Sequence, residues 1–222
     1  MSNITLIDNL VKKLGKAYKL EKQDLGEDSH LHKKGMHFYP EVYEAKSLGH
    51  ICVLKMKAMG GLMKMETLVI STINKDAPLV NFDYVKAMGK ETAIVELYNV
   101  ELNEYNPEFL EAFTKIKEQD NDLADYEANP NWYDEIRYDA SYKKTGKKIT
   151  ARIDDTYNKY LDEFLNQLAS MPATDPIEKE LKVQEFANKL FEFGGPAVNM
   201  FKKLFGDELA KKMVVNYMYG VK

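Results

Sequence analysis

The stretch from Val42 to Tyr98 constrains this chain more than any other. Its residues follow the two-residue period of pleated strands, broken by turn signals at Leu48-Gly49, Gly60-Gly61 and Met88-Gly89. "CVLKMKAMGGLMKMETLVI" reads as a hairpin about a two-residue Gly60-Gly61 turn, which sets Lys57 opposite Lys64 and Lys55 opposite Glu66. "PLVNFDYV" is the next strand and "ETAIVELYNV" completes a meander.

Helical periods dominate on either side. Ile4, Leu6, Ile7, Leu10, Val11 and Leu14 form one apolar stripe, read as a helix packed on the domain in preference to one lying on a membrane surface. "NPEFLEAFTKIKE" begins with Asn106 as a cap and Pro107 at the first helical position. The segment through Trp132 and Tyr142 reads as a loop and then an edge strand. Ile153, Tyr157, Tyr160, Leu161, Phe164, Leu165 and Leu168 give a long amphipathic helix. A further helix runs from Asp175-Pro176 to Gly194-Gly195, followed by two shorter ones. Strands grouped first and helices after predict one antiparallel sheet covered by helices in a single domain, 1–222, with no internal repeat or linker.

Composition excludes several classes. The single cysteine, Cys52, rules out an intrachain disulfide, a cysteine zinc site and a four-cysteine iron–sulfur cluster, and fits a reducing cytoplasm. A net charge of −4 gives no global attraction to nucleic acid or an anionic membrane. No apolar run is long enough to span a bilayer, and the N-terminus has no signal-peptide core. No phosphate-binding glycine loop is present.

One residue stands out. Asp83 lies inside a strand of apolar residues, with Asn81 two positions earlier on the same face. A buried carboxylate is costly unless paired or protonated, so Asp83 is either satisfied by local donors or kept for chemistry. Other features are less pointed. His30, His32 and His37 or His50 are metal ligands or solvated rings. Met56, Met59, Met63 and Met65 line a flat apolar ligand or fill core. "SYKKTGKK", with Lys143, Lys147 and Lys148, and the later Lys202, Lys203, Lys211 and Lys212, are solvated or dock an acidic partner.

The run "GGLMKMETLVISTINKDAPLVNFDYVKAMGKETAIVEL" resembles the core of the ferredoxin-dependent bilin reductases. Pro78-Leu79 followed by Asp83 keeps that family's Pro-Leu-x-x-x-Asp interval, and Gly89 and Ala93 keep its turn and following strand. Trp132 and Ile136 match a Trp-x-x-x-Ile segment, and "FKKLFGDELAKKMVVNYMYG" is similar to the family's ending. The likeness runs from about Gly49 to Gly220.

The resemblance implies an α/β/α sandwich, a central antiparallel sheet flanked by helices. It holds no bound cofactor and takes a linear tetrapyrrole, biliverdin, between sheet and C-terminal helices. Electrons come singly from reduced ferredoxin or flavodoxin, and protein carboxyls protonate the pigment radical. It assigns Asp83 as proton donor and Glu66 as its partner, where members often carry histidine or asparagine. Asn81, Thr92 and Lys55 join them in the substrate site, with Lys144 as the anchor for a propionate. Lys143, Lys147, Lys148, Lys202, Lys203, Lys211 and Lys212 form the ferredoxin-docking surface of a cytoplasmic monomer. Gly195 stands where several members carry a second aspartate, and Met218-Tyr219-Gly220 where they end in Leu-Phe-Asp. Two further readings follow from those departures: a tetrapyrrole carrier or sensor without redox chemistry, and a reductase of another open-chain tetrapyrrole such as a chlorophyll catabolite.

Overall fold

The computed structural model describes residues 5–103 and 107–221, so Ile4 and the Asn106 cap lie outside it. The meander is present as β3 (Met36–Ala45), β4 (Gly49–Ala58), β5 (Met63–Thr72), β6 (Leu79–Ala87) and β7 (Lys90–Tyr98). Short strands extend it: β1 (Glu21–Lys22) and β2 (Leu31–Lys33) on one side, β8 (Ala124–Asp125) and β9 (Tyr142–Gly146) on the other. The order is β1-β3-β4-β5-β6-β7-β9-β8, with β2 also on β3, and the pairs are antiparallel.

The hairpin register holds, with Lys57 opposite Lys64 and Lys55 opposite Glu66, but its loop does not. Ala58 pairs with Met63, so the connection is Met59–Leu62 with a 3₁₀ turn at Met59–Gly61. The expected edge strand through Tyr142 is interior, because β8 pairs along its outer side.

Helices cover both faces. α1 (Leu6–Ala17), α2 (Pro107–Glu118) and α3 (Thr150–Ser170) pack one face, burying Leu10, Phe113, Tyr157 and Phe164 against Leu68, Val80, Phe82 and Val95. α4 (Pro176–Phe193), α5 (Pro196–Phe205), α6 (Asp207–Lys211) and a π-helical turn (Lys212–Met218) pack the other, against Cys52, Leu54, Val69, Leu79 and Tyr98. This is the α/β/α sandwich. The π-helical turn replaces the expected end of an α-helix; such bulges recur at functional sites.

One buried cation fastens α4. Lys179 is fully buried, and its Nζ donates to Ala77 O at 2.7 Å and Val100 O at 2.8 Å, 3.5 Å from Asp76 Oδ1. Burial lowers the Lys179 pKa and pushes nearby Glu101 up to about 7. Among the described residues no helix is long and apolar enough to cross a membrane.

Candidate active site

Alternation along β6 decides which side chains share a surface. Val80, Phe82 and Tyr84 enter the core beneath α1 and α3. Leu79, Asn81, Asp83 and Val85 therefore face the C-terminal helices. Across the strands Asp83 is aligned with Thr67 on β5 and Ile94 on β7, and Ile94 with Lys143 on β9. The next row aligns Val69, Asn81 and Glu96. Met65, Asp83, Val85, Thr92, Ile94 and Lys143 are only half-buried, forming an incompletely covered strip between sheet and helices.

Among the described residues Asp83 has one direct side-chain hydrogen-bond partner, Thr67 Oγ1, which donates to Oδ1 at 2.5 Å. Burial raises the carboxyl pKa to about 7. The Thr67 bond and the positive charge of Lys143 pull it down, while the negative charge of Glu96 adds to the rise. The group thus exchanges a proton near neutrality, as a general acid must. Tyr157 closes the opposite side of the strand by donating its hydroxyl to Asp83 O.

Glu96, in contrast, is saturated. It accepts from Tyr98 Oη at 2.5 Å and pairs with Lys143 Nζ at 2.9 Å and Arg137 Nη1 at 3.5 Å. Arg137 is held in turn by Asp134. Tyr98 meets Tyr133 edge-on and packs on Phe186, and Tyr219 meets Phe186 edge-on, so aromatic rings wall this end of the strip. The Asn81 side chain bonds the Tyr219 hydroxyl, while its Oδ1 is buried with no hydrogen-bond donor among the described residues. It is an unsatisfied acceptor on the same face of β6 as Asp83.

Several sequence assignments need correction. Glu66 is not the partner of Asp83. Register sets it opposite Tyr84, on the far face, where it accepts from Ile7 N at 3.5 Å. Thr67 holds the place expected for it, since one residue of offset exchanges the faces of a strand. Lys55 shares the Glu66 side and pairs with Asp8. Lys144 also points away, donating to Leu123 O at 3.2 Å and pairing with Asp125 at 2.8 Å, so it cannot anchor a propionate beside Asp83. Its neighbour Lys143, expected on a docking surface, takes the position in the strip instead. Asn81, Thr92 and Asp83 do share a face, and Thr92 Oγ1 lies 3.2 Å from Thr145 Oγ1.

Nor do the remaining lysines make one patch. Lys202 donates to Phe191 O at 2.6 Å and Lys212 pairs with Asp28 at 2.5 Å, on the β3 side. Lys147 and Lys148 follow β9, beyond the intervening β4, β5, β6 and β7, and are exposed. Lys203 and Lys211 are exposed on α5 and α6.

His30, His32 and His37 stack with Tyr39 on the β2–β3 ribbon. His50 sits apart, bound to Glu44 and Tyr217 O. Among the described residues no group of three histidine, cysteine, aspartate or glutamate side chains is arranged to hold a metal. A cavity of about 440 Å³ lies on the far face, lined by Thr5, Asn9, Glu66 and Tyr84. It is separate from Asp83. At Gly195 a Cβ would sit 3.1 Å from Leu190 Cδ1 and 3.5 Å from Tyr133 Cε1, so a side chain there would press on the Leu190 methyl.

Thr67, Glu96, Tyr98, Tyr133, Arg137 and Tyr219 were not anticipated. Glu96 carried a signal, being a carboxylate inside a strand like Asp83. Thr67 depends on the β5–β6 register across the 73–78 connection, which carries no turn signal that fixes it.

Sheet, helical layers and placement of the strip together define an α/β/α sandwich with a half-covered surface between sheet and C-terminal helices. The solved structure of tomato phytochromobilin synthase in complex with biliverdin is similar to it, with a TM-score of 0.77 over 97% of this chain and 82% of that one. Sequence identity is 12%, so the likeness is one of fold. No family model and no curated protein matches the chain in sequence.

Proposed function

We propose that this protein reduces a linear tetrapyrrole, biliverdin, with electrons delivered singly by reduced ferredoxin or flavodoxin and protons delivered by Asp83. One observation carries the reading. Asp83 titrates at about 7 on the sheet face that the C-terminal helices cover, in a fold shared with a biliverdin-bound structure.

On this reading the pigment lies along Met65, Val85, Thr92 and Ile94, where apolar contact favours a flat conjugated molecule. Asn81 Oδ1 accepts from a pyrrole N–H, and Lys143 offers a cation to a propionate. Each electron entering the pigment makes it more basic, and neutral Asp83 then releases its proton to it. Half-buried Asp83 is reloaded from water, so one carboxyl serves both protonations of a two-electron reduction. The decisive experiment is an absorbance titration with biliverdin followed by reduced ferredoxin in the same cuvette. A perturbed pigment spectrum and then its bleaching support the reading; an unperturbed spectrum at high protein concentration ends it.

A second reading draws on Gly195, which puts no carboxyl where several members of the resembled family carry an aspartate. A carrier or sensor of the same pigment would perturb the spectrum and leave it unbleached. Turnover of a different open-chain tetrapyrrole would keep the chemistry and change the substrate.

A further inference from the structure

The end of the sheet where β6 runs into β7 combines three unusual features. Four connections lie side by side there: the β2–β3 turn, Met59–Leu62, Met88-Gly89 and the segment after β9. Met88 N bonds Leu62 O, tying the two central turns together.

The first feature is apolar exposure. Met88 is 80% exposed, Leu62 64% and Met59 58%, all on those two turns. Single exposed apolar residues are ordinary, but a cluster on adjacent tips marks an interaction site.

The second is charge. Lys57, Lys64 and Lys86 stand directly opposite one another on three neighbouring strands, an arrangement that is destabilising by itself. Glu91 pairs with Lys86, while Lys57, Lys64 and Lys90 are exposed on strand ends. Lys33 and Lys34 on one flank and Lys147 and Lys148 on the other extend the field. A chain of net charge −4 has therefore gathered cations at one end.

The third is backbone conformation. Among the described residues the non-glycines with positive φ are Lys34 at 50°, Met59 at 53°, Met88 at 48° and Lys148 at 57°, one on each connection. Asparagine, aspartate or glycine holds such a position at lower cost. Methionine and lysine there keep apolar and cationic side chains on the tips at the expense of local strain.

We infer that this end of the sheet docks on an anionic phospholipid surface, the methionine and leucine tips entering the headgroup boundary and the lysines contacting lipid phosphates. Depth favours lipid over an acidic protein. The apolar residues sit on the turns, whereas Lys57 and Lys64 lie about two strand residues behind, roughly 7 Å at strand rise. On the two central turns apolar groups stand foremost with cations behind them, and Lys34 and Lys148 flank them at tip level, where the phosphates of a bilayer surface lie; apolar burial at such a surface is about 5–10 Å deep.

Flotation of the full chain with phosphatidylcholine vesicles, with and without phosphatidylglycerol, tests this. Binding is expected only with the anionic lipid, and high salt should release it. Replacing Met59, Leu62 and Met88 together by serine should weaken binding about tenfold or more. Ile177→Ser with Leu181→Ser, at equally exposed positions on α4, should leave it unchanged. An environment-sensitive dye on Met88→Cys should shift to the blue on anionic vesicles; buried Cys52 stays unlabelled. No binding at low salt overturns the inference. So does binding that survives loss of the tips, or an acidic soluble protein captured through these lysines while the dye stays unshifted with vesicles.

Discussion

Thr67 Oγ1 donates to Asp83 Oδ1 at 2.5 Å across the β5–β6 register pair. That bond favours the ionised carboxylate and opposes the burial that favours the acid. Thr67→Val removes the donor while keeping the shape. The basic limb of the pH–rate profile for pigment reduction should move to higher pH. A profile that stays fixed, or moves down, would take Asp83 out of the rate-controlling protonation.

Asp83→Asn separates electron from proton. Asparagine preserves size and neutrality, so biliverdin should still bind and the first electron should still enter. Turnover should fall ~10²–10⁴-fold, the usual scale for a lost general acid. A one-electron-reduced pigment radical should accumulate, visible by electron paramagnetic resonance. Normal turnover in this variant would contradict the mechanism whatever pigment is used.

Stability should report the same carboxyl. Folded Asp83 holds its proton up to about 7, whereas an unfolded aspartate releases it near 4. Between those values the folded chain binds more protons, so this residue makes stability fall as pH rises and leaves its full penalty in place above 7. Asp83→Asn removes the penalty. Its melting temperature should exceed that of the unsubstituted protein at pH 8 and approach it at pH 4. Glu101, also pushed up to about 7, is present in both proteins and cancels in the comparison.

The two faces make a paired test. Lys143→Gln should weaken binding of a dipropionate pigment by about 1–3 kcal/mol and leave its dimethyl ester nearly unaffected. Lys144→Gln should leave pigment affinity alone and lower the melting temperature, because it abandons Leu123 O and Asp125. Glu66→Gln should leave turnover unchanged. A Lys144 variant with the binding defect, measured by absorbance titration, would reverse this assignment of faces.

The period of two and the glycine turns made the meander legible, down to the pairing of Lys57 with Lys64. They also marked Asp83, because a lone carboxylate among apolar strand residues needs a reason. The partners of Asp83 were harder to see. Glu66 and Lys144 each lie one residue from a side chain that does reach the strip, Thr67 and Lys143, and a strand reverses its facing at every residue. Resemblance aligns segments, whereas facing depends on the pleat counted from β5 through the 73–78 connection into β6, which pairs Thr67 and not Glu66 with Asp83. Tyr133, Arg137 and Tyr219 arrive from irregular segments with no period to follow. The methionines divide as well, since Met56 is core while Met59 and Met88 project from turns.

The order of the strands has a consequence for how the molecule is made. From β3 to β7 each strand pairs with its sequence neighbour, so the sheet can grow by local closures that are fast on the scale of protein folding. The layer facing Asp83 comes from Pro176 onward, and Lys179 must surrender its hydration to seat the first of those helices. Until then Asp83 lies on a naked sheet in contact with water and titrates as an ordinary aspartate. Its raised pKa is therefore conferred by helices that follow the whole sheet in sequence, and a chain cut before Pro176 would carry the same carboxyl with an ordinary affinity for its proton.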